Sequence, residues 1–373
     1  MKRVLAILLT AVMMCGIFTA CAKPAEVAPS AKPTVVTAET PAPTEAPTAT
    51  PDAIPTNVSL TTGLEGNTTY KPIIVQIDNE PPARPQTGVQ AADIVYETPI
   101  EGADTRLTCL YNDAINSADA PEKLTVGPVR SSRYYHQWIQ GEWDAIYVHN
   151  GGPDATTHEE TDIWGESAEH IKLRVNGAGK HASHTDLFYA LRKGSPLSAF
   201  AGIDLMKVAE LYDYTPEPLQ AFKFYPLEAY ADAKTIDTIS MPFLNGKDTF
   251  VSYTYDAGKD KLLRFMKGKE FKDTATDAQI EVQNLVVEYT RVAGAGKGEG
   301  DRKVVDVKGS GDAEFIIHGK HLKGTWERPS YDEKTTYKLE NGEELTFAPG
   351  NTWIEIHPAE AEAKVTYGGD SAE

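Results

Sequence analysis

The sequence predicts an α+β protein, in which an N-terminal mixed α/β domain at residues 61–217 precedes a β-rich domain at residues 218–358. Two observations predict this order. Continuous apolar runs in the first half, such as residues 73–77, lie beside a segment with helical spacing. In the second half, short runs rich in β-branched and aromatic residues alternate with turn signals. We expect Pro218 to Tyr230 to be a hinge between the two halves.

The elements of the first domain follow from its apolar runs and turn residues. We predict strands at residues 73–77, 92–97, 105–111 and 144–149. Ser131 or Ser132 is expected to cap a helix that carries Arg133 to Ile139. The spacing Ser183-x-x-Asp186 is typical of a capping box, so it predicts a second helix that ends before Gly194.

The second domain is expected to consist mainly of short strands. We predict them at residues 250–255, 262–265, 285–289, 314–317, 337–339, 345–347 and 352–356. The dipeptide Asn341-Gly342 predicts a hairpin, because both residues tolerate a positive φ. Trp326 and Trp353 can stack on sugars or fill a β core, and we expect both in the core.

The first 21 residues have the features of a lipoprotein signal peptide. Lys2 and Arg3 precede an uncharged apolar stretch from Val4 to Phe18, which is too short for a stable transmembrane helix. Small residues then lead to Cys21, and this run resembles the lipobox of bacterial lipoproteins. The resemblance implies that Cys21 is diacylated and that membrane lipid is its partner. We therefore expect a lipid-anchored protein on the extracytoplasmic face of the cell membrane; the alternative is plain secretion after cleavage nearby.

Two further segments are expected to be disordered. Residues 22–60 are rich in Ala, Pro and Thr and cannot bury enough apolar surface to fold, so they predict an extended tether. Residues 359–373 form an acidic tail that is also expected to lack order. The tether would hold the folded part away from the membrane surface.

Charge and cysteine content exclude several classes of function. The formal charge of −18 becomes −20 once Lys2 and Arg3 are removed, so the chain is repelled by nucleic acid. Cys15 leaves with the signal peptide and Cys21 carries lipid, which leaves Cys109 alone. Cys109 lies in an apolar run, and we expect a buried free thiol. Stability must therefore come from hydrophobic cores rather than from disulfides.

Several runs of residues resemble a known family. In the first domain they are Ile77-Asp78-Asn79, Ala83-Arg84-Pro85-Gln86-x-Gly88, Ala92-Asp93-Ile94-Val95-Tyr96-Glu97, Glu101-Gly102-x-x-Thr105-Arg106 and Gly127-Pro128-Val129-Arg130-Ser131. In the second they are Gly298-Glu299-Gly300-Asp301-Arg302, Lys323-Gly324-Thr325-Trp326 and Pro349-Gly350-Asn351-Thr352-Trp353-Ile354-Glu355. They occur in the order seen in the YerB-like lipoproteins. The resemblance covers most of Tyr70 to Pro358 and implies a two-domain fold, but it implies no reaction. One departure is the Lys180–Phe188 loop, where many relatives carry Pro-His-Asn.

The best candidate binding site combines carboxylates with arginines in the first domain. Glu97 and Glu101 fall close in sequence to Arg106, and Arg130 and Arg133 follow near a helix start. Guanidinium groups bind carboxylate or phosphate in a bidentate manner, and a helix start favours anions. The five residues therefore predict a ligand pocket. The alternative is a buried network that locks strands to the helix, for example by pairing Glu97 with Arg130.

The sequence assigns no catalytic residue, metal ligand or cofactor. Glu97 and Glu101 could act as paired carboxylates in glycan cleavage, but we expect Arg106 to keep both ionised. His181-x-x-His184 suggests zinc, yet its context lacks an established zinc motif, so we predict no metal.

We predict a membrane-anchored lipoprotein that binds an envelope component, anionic or glycan-like. The alternatives are a cell-wall glycan hydrolase and a scaffold for a membrane protein. The expected partners are therefore a cell-wall polymer or an envelope protein, with no nucleic acid.

Overall fold

The computed structural model describes residues 54–153, 159–243, 250–362 and 364–368. The predicted signal peptide, Cys21 and the tether as far as residue 53 lie outside these residues. No helix within them is long and apolar enough to cross a membrane.

Short strands dominate the first half of the described chain. They are β1 Ile73–Asp78, β2 Ile94–Pro99, β3 Thr105–Tyr111, β4 Thr125–Val129, β5 Ile146–His149, β6 Arg174–Asn176, β7 Tyr189–Ala190 and β8 Ala201–Asp204. The helices are α1 Asp113–Asn116, α2 Tyr134–Trp143, α3 Glu166–Glu169, α4 Leu197–Phe200 and α5 Leu205–Ala209, with 3₁₀ turns at Pro81–Ala83, Glu159–Thr161 and Thr185–Leu187. The predicted strands and the helix after residue 133 are confirmed.

The second half is built from strands alone over its described residues. They are β9 Lys234–Thr235, β10 Thr238–Pro242, β11 Phe250–Asp256, β12 Lys261–Met266, β13 Lys269–Glu270, β14 Lys272–Asp273, β15 Ala278–Gln279, β16 Glu281–Val282, β17 Asn284–Thr290, β18 Val292–Gly294, β19 Lys303–Val305, β20 Gly309–Ile317, β21 Lys320–Arg328, β22 Thr336–Leu339, β23 Thr352–Pro358 and β24 Thr366–Gly368. The α+β class is therefore confirmed.

One large mixed sheet contains strands from both halves. Its order is β22-β21-β20-β17-β23-β2-β3-β1-β4-β8-β7, and β5, β6 and β9 pair at its sides. The last long strand, β23, lies between β17 and β2 and is parallel to both. All six residues of β1 and all seven of β23 are buried. Strands buried on both faces are nearly continuously apolar, which explains the run at residues 73–77, where Gln76 is the one polar residue.

Each face of this sheet packs against a different layer. Val75, on one face, belongs to a core that includes Met241 and Val251 of a second sheet, which has the order β13-β12-β11-β10-β24. Ile74, on the opposite face, belongs to a core that includes Trp138 of α2. Cys109 is a buried free thiol, and Trp326 and Trp353 lie in the core, as predicted.

Two local predictions about helices are wrong. Helix α2 has Arg133, not a serine, as its N-cap residue, and His136 Nδ1 accepts the Arg133 backbone N–H at 3.1 Å. Ser183 does not cap a helix. Its backbone N–H donates to Asn176 O at 2.7 Å, and after the left-handed His184 the chain forms only a 3₁₀ turn and β7.

The predicted hairpin is only partly correct. The turn forms, with Gly342 at φ 85°, and the strand before it is β22. Residues 345–347 form no strand, because after Leu345 donates to Tyr337 O the chain diverges and Phe347 donates to Lys223 O at 2.8 Å.

The expected hinge is a packed segment rather than a flexible one. Gln220 is buried and donates to Glu142 Oε2 at 3.0 Å, and the Phe222 ring stacks on Phe347 with centroids 4.5 Å apart. The hydrophobic effect and these polar contacts hold the segment to the core. The boundary at residue 218 stays a prediction.

The two disorder predictions fail where the structure describes them. Near the end of the expected tether, Ser59 is buried and donates to Asp113 Oδ1 at 2.7 Å. Near the chain end, β24 pairs with β10, and Tyr367 OH donates to Glu314 Oε2 at 2.5 Å. Side-chain hydroxyls that reach carboxylates hold both segments, a signal that composition alone does not reveal.

Candidate functional site

The five predicted site residues do not share one cleft. Glu97 and Arg106 are almost wholly buried, with 0% and 1% exposure, whereas Arg130, Arg133 and Glu101 are partly exposed. They divide into three ion-pair clusters, and in the first two the partners are residues that the sequence did not suggest. The prediction of a single pocket is therefore wrong.

The first cluster surrounds Glu97 in the core of the large sheet. Arg264, on β12 of the second sheet, is also 0% exposed and forms an ion pair with Glu97. Glu97 Oε1 additionally accepts hydrogen bonds from Asn79 Nδ2 at 3.0 Å and Thr105 Oγ1 at 2.5 Å. These contacts satisfy a buried carboxylate that would otherwise be strongly destabilising.

Glu355 is a second carboxyl beside Glu97. Parallel pairing of β2 with β23 places the two residues at the same register, and Tyr253 OH donates to Glu355. Burial, followed by the negative charge of Glu97, raises the pKa of Glu355 well above its ordinary value. This shift favours the protonated form of Glu355. Its hydrogen bond with Glu97 then joins a carboxylic acid to a carboxylate.

Aromatic rings complete the surroundings of Arg264. Its guanidinium carbon lies 4.1 Å from the Phe271 ring centroid and 4.6 Å from that of Trp353. Arg264 was not among the predicted site residues, although a signal existed: on β12 it alternates in phase with Leu262 and Met266, which both face inward. A charged residue at an inward position predicts a buried partner.

The second cluster neutralises Arg106 and Arg130. Arg130 Nε lies 2.8 Å from Asp78 Oδ2, and Arg106 Nη2 lies 3.6 Å from Asp78 Oδ1. Glu80 lies 3.5 Å from both guanidinium groups. The pairing of Glu97 with Arg130 that we considered is wrong, because β4 lies next to β1 and places Arg130 beside Asp78.

The third cluster borders an open groove. Arg133 binds Glu101 in a bidentate manner, with Nε to Oε1 at 2.7 Å and Nη2 to Oε2 at 2.6 Å. Burial alone would raise the pKa of Glu101, but the hydrogen bonds and charge of Arg133 outweigh it and hold the pKa below its ordinary value. Glu101 is therefore an ionised acceptor, not a proton donor, at neutral pH.

The groove has a volume of about 480 Å³ and brings the two halves of the sequence together. It is lined by Glu101, Ser131, Arg133, Gly152, Pro153, Gly298, Glu299, Gly300, Asp301 and Arg302. On the far side, Arg302 Nη1 donates to Glu299 Oε2 at 2.6 Å. The glycine-rich loop at 298–302 was noted only for its resemblance, so the sequence did not place it beside Arg133.

Two family models match this chain. The N-terminal domain of the family described as "Protein of unknown function (DUF3048)" matches residues 61–191, and its C-terminal domain matches residues 239–354. The two models together cover well over half of the chain. The chain belongs to this two-domain, YerB-like family.

Individual relatives agree with the family match. The chain is 27% identical to "Putative lipoprotein YerB" of Bacillus subtilis (strain 168) over 309 residues, which are 81% of this chain and 85% of the relative. It also resembles the crystal structure of the YerB protein from Bacillus subtilis, with a TM-score of 0.66, 23% identity, and coverage of 83% of this chain and 99% of that chain. The structural likeness confirms the YerB-like fold, and the relative's name supports a lipoprotein.

The runs that carry the YerB-like resemblance meet in space around Asn79. Its Oδ1 accepts hydrogen bonds from Gln86 Nε2 at 2.8 Å and Arg84 Nε at 3.2 Å, while its Nδ2 donates to Glu97. Glu355, from the last run, lies on the other side of Glu97. Most residues of the runs that resemble the family therefore make buried contacts in the core, whereas the groove faces solvent.

Proposed function

We propose that the protein is a lipid-anchored lipoprotein on the extracytoplasmic face of the cell membrane, which binds a hydroxyl-rich, glycan-like envelope component in the groove. The observation that carries this proposal is the balance of charge in the groove. Each guanidinium is already paired with a carboxylate, Arg133 with Glu101 and Arg302 with Glu299, and Asp301 adds one more negative charge.

This balance favours a neutral polyol over an anion. A free anion would have to displace a carboxylate from its arginine, and the formal charge of −18 adds long-range repulsion. Sugar hydroxyls both donate and accept, so they can bind the fixed carboxylate oxygens and the guanidinium N–H groups of Arg133 and Arg302 at the same time.

Glycan hydrolysis through Glu97 and Glu101 lacks support. Glu97 is fully buried and paired with Arg264, so it cannot contact a polymer. Glu101 has a lowered pKa, whereas glycan cleavage requires one carboxyl that stays protonated. Glu355 does have a raised pKa, but it lies in the core beside Glu97. We therefore propose binding without catalysis.

The test is a thermal-shift titration of the full-length protein in nonionic detergent with purified, uncharged oligosaccharides from cell-wall glycan. We expect a saturable rise in melting temperature, because a ligand that binds only the folded state stabilises it. Glu101→Gln and Asp301→Asn should each weaken binding by roughly 5- to 15-fold, the effect of one or two lost hydrogen bonds.

Asp277→Asn is the matched control, since Asp277 is exposed and lies outside the groove. It should bind like the wild type. Equal binding by the wild type and both groove variants would contradict the proposed site, and the absence of any saturable shift would contradict glycan binding. Release of soluble fragments from isolated walls would contradict the absence of catalysis.

A further inference from the structure

Arg174 is a partly buried arginine that has no carboxylate partner among the described residues. It is the first residue of β6, and no Asp or Glu in the part of the chain that the structure describes forms an ion pair with it or shifts its pKa. Burial lowers the pKa of Arg174, and its Nη2 atom is buried and has no hydrogen-bond partner in the described ranges. This differs from Arg264 and Arg328, whose buried guanidinium groups pair with Glu97 and Glu142.

A neutral histidine, rather than an acid, orients this guanidinium. His149 Nδ1 lies 2.7 Å from Gly151 O, which can only accept, so Nδ1 carries the proton. His149 Nε2 is then the acceptor for Arg174 Nη1 at 3.2 Å. Burial and the charge of Arg174 lower the pKa of His149 to about 3, which keeps the ring neutral. The positive charge of Arg174 is therefore left uncompensated.

Aromatic rings hold the guanidinium in place. Its carbon lies 4.8 Å from the Trp164 ring centroid and 5.8 Å from that of Tyr147. The exposed His181 ring packs against Trp164, with ring centroids 4.2 Å apart. Trp164 Nε1 is a second buried N–H without a partner among the described residues. One positive charge and two unused N–H donors thus belong to two side chains in direct contact.

Such an arrangement costs stability unless a ligand uses it. A buried guanidinium without a counter-charge is unfavourable, and unmatched buried donors are rare in folded proteins. A carboxylate or phosphate oxyanion satisfies both requirements, since it neutralises the charge and two of its oxygens accept parallel N–H bonds from one guanidinium.

We propose that Arg174, Trp164 and His181 form a binding site for an oxyanion, the carboxylate or phosphate group of an envelope component. None of the three residues lines the groove, so the proposal does not rest on glycan binding there. The loop after β5 connects the two places: His149 contacts Arg174, and Gly152 lines the groove a few residues later. An envelope polymer that carries both hydroxyl and acidic groups could occupy both.

The test uses Trp164 as the reporter. Full-length protein in nonionic detergent is titrated with inorganic phosphate and, separately, with acetate, with chloride added to keep ionic strength constant. We expect a saturable change in tryptophan fluorescence and a rise in melting temperature with at least one of the two anions. In Trp164→Phe the fluorescence change should disappear, and the thermal response should weaken but persist, because one of the N–H donors is lost while Arg174 remains.

The two anion arms separate the possible sources of the ligand. A response to phosphate alone indicates a phosphodiester-type ligand, and a response to acetate alone indicates a peptide or uronate carboxylate; both outcomes support the site. Arg174→Gln should weaken the response roughly 10- to 100-fold, the effect of losing charge-assisted hydrogen bonds. Arg174→Lys keeps the positive charge but loses the forked geometry of the guanidinium, so its anion response should lie between those of the wild type and Arg174→Gln. Arg291→Gln, at an exposed arginine paired with Asp306, is the matched control and should respond like the wild type.

Stability without anion separates a binding arginine from a structural one. Because Arg174 has no counter-charge, Arg174→Gln should melt at the same temperature as the wild type or higher. A lower melting temperature together with unchanged anion affinity would overturn the proposal, and so would the absence of a saturable response to both anions.

Discussion

In the Glu97–Arg264–Glu355 cluster, we predict that removal of the arginine destabilises the protein much more than removal of the Glu97 carboxylate. Arg264→Met leaves Glu97 buried without a counter-charge, next to a second carboxyl. Breaking a buried pair from the arginine side typically costs about 3–5 kcal/mol. The contacts with Trp353 and Phe271 add to this loss, since a desolvated cation–π contact is worth about 2 kcal/mol. We expect Arg264→Met to lower the free energy of unfolding by at least about 4 kcal/mol.

Removal of the carboxylate should cost much less. In Glu97→Gln, Arg264 still faces Glu355, which can lose its proton and replace the missing charge. The amide also keeps the shape of the side chain and its contacts with Asn79 and Thr105. We expect a loss of about 1–2 kcal/mol, comparable to one weakened hydrogen bond.

Urea unfolding, monitored by near-ultraviolet circular dichroism, measures both free energies by linear extrapolation. The double variant Arg264→Met/Glu97→Gln should be more stable than Arg264→Met alone, because it removes the unpaired charge. Arg291→Met, at an exposed pair, should change stability by less than about 0.5 kcal/mol. Equal losses of unfolding free energy in the two single variants, or additive losses in the double variant, would refute the idea that Glu355 loses its proton and replaces the charge of Glu97.

Three more predictions concern the buried carboxyls, the lipid anchor and Arg130. Burial raises the pKa of Asp93 to about 7 and that of Glu288 to about 8, so the folded state keeps protons that the unfolded state loses. The urea concentration at the unfolding midpoint should therefore decrease as the pH rises from about 5 to 8. Glu355→Gln should make this decrease shallower, and an unchanged pH profile would contradict the raised pKa of Glu355. Cys21→Ser should abolish lipidation and weaken membrane retention, and unchanged detergent partitioning would contradict the anchor. Arg130→Gln should lower the free energy of unfolding by only about 1–2 kcal/mol, because Arg106 stays near Asp78. A much larger loss on urea unfolding would contradict the idea that the two arginines share Asp78.

Local pattern predicted the strands well, whereas contacts between distant segments could not be predicted. The run at residues 73–77 is apolar except for Gln76 because its strand is buried on both faces, and apolar character can be read from each side chain separately. The partner of Glu97 lies 167 residues away on β12, and no spacing rule links such positions. The helix expected at Ser183 failed for the same reason, since its backbone N–H bonds Asn176 on a neighbouring strand.

The candidate site was half predictable for a related reason. Glu101 stood out because it is close to Arg106 in the sequence, and Arg133 because it lies near a helix start; the structure does place both at a groove. The opposite wall, residues 298–302, belongs to the other half of the sequence, and no local pattern places it beside them. Arg174 carried no sequence signal at all, since what distinguishes it is that no acidic partner occurs in the described part of the chain.

The position of β23 means that neither half can complete the large sheet alone. Without residues 218–373, β2 would expose its edge, and Glu97 would lose both Arg264 and Glu355. An exposed central edge and an unpaired buried carboxylate both oppose folding. We therefore expect a fragment of residues 54–217 to lack a cooperative urea transition and near-ultraviolet circular dichroism, although each predicted domain has an ordinary length. Mixing it with residues 218–373 should restore part of both signals, and a cooperative transition in the isolated fragment would show that the sheet tolerates the loss of β23.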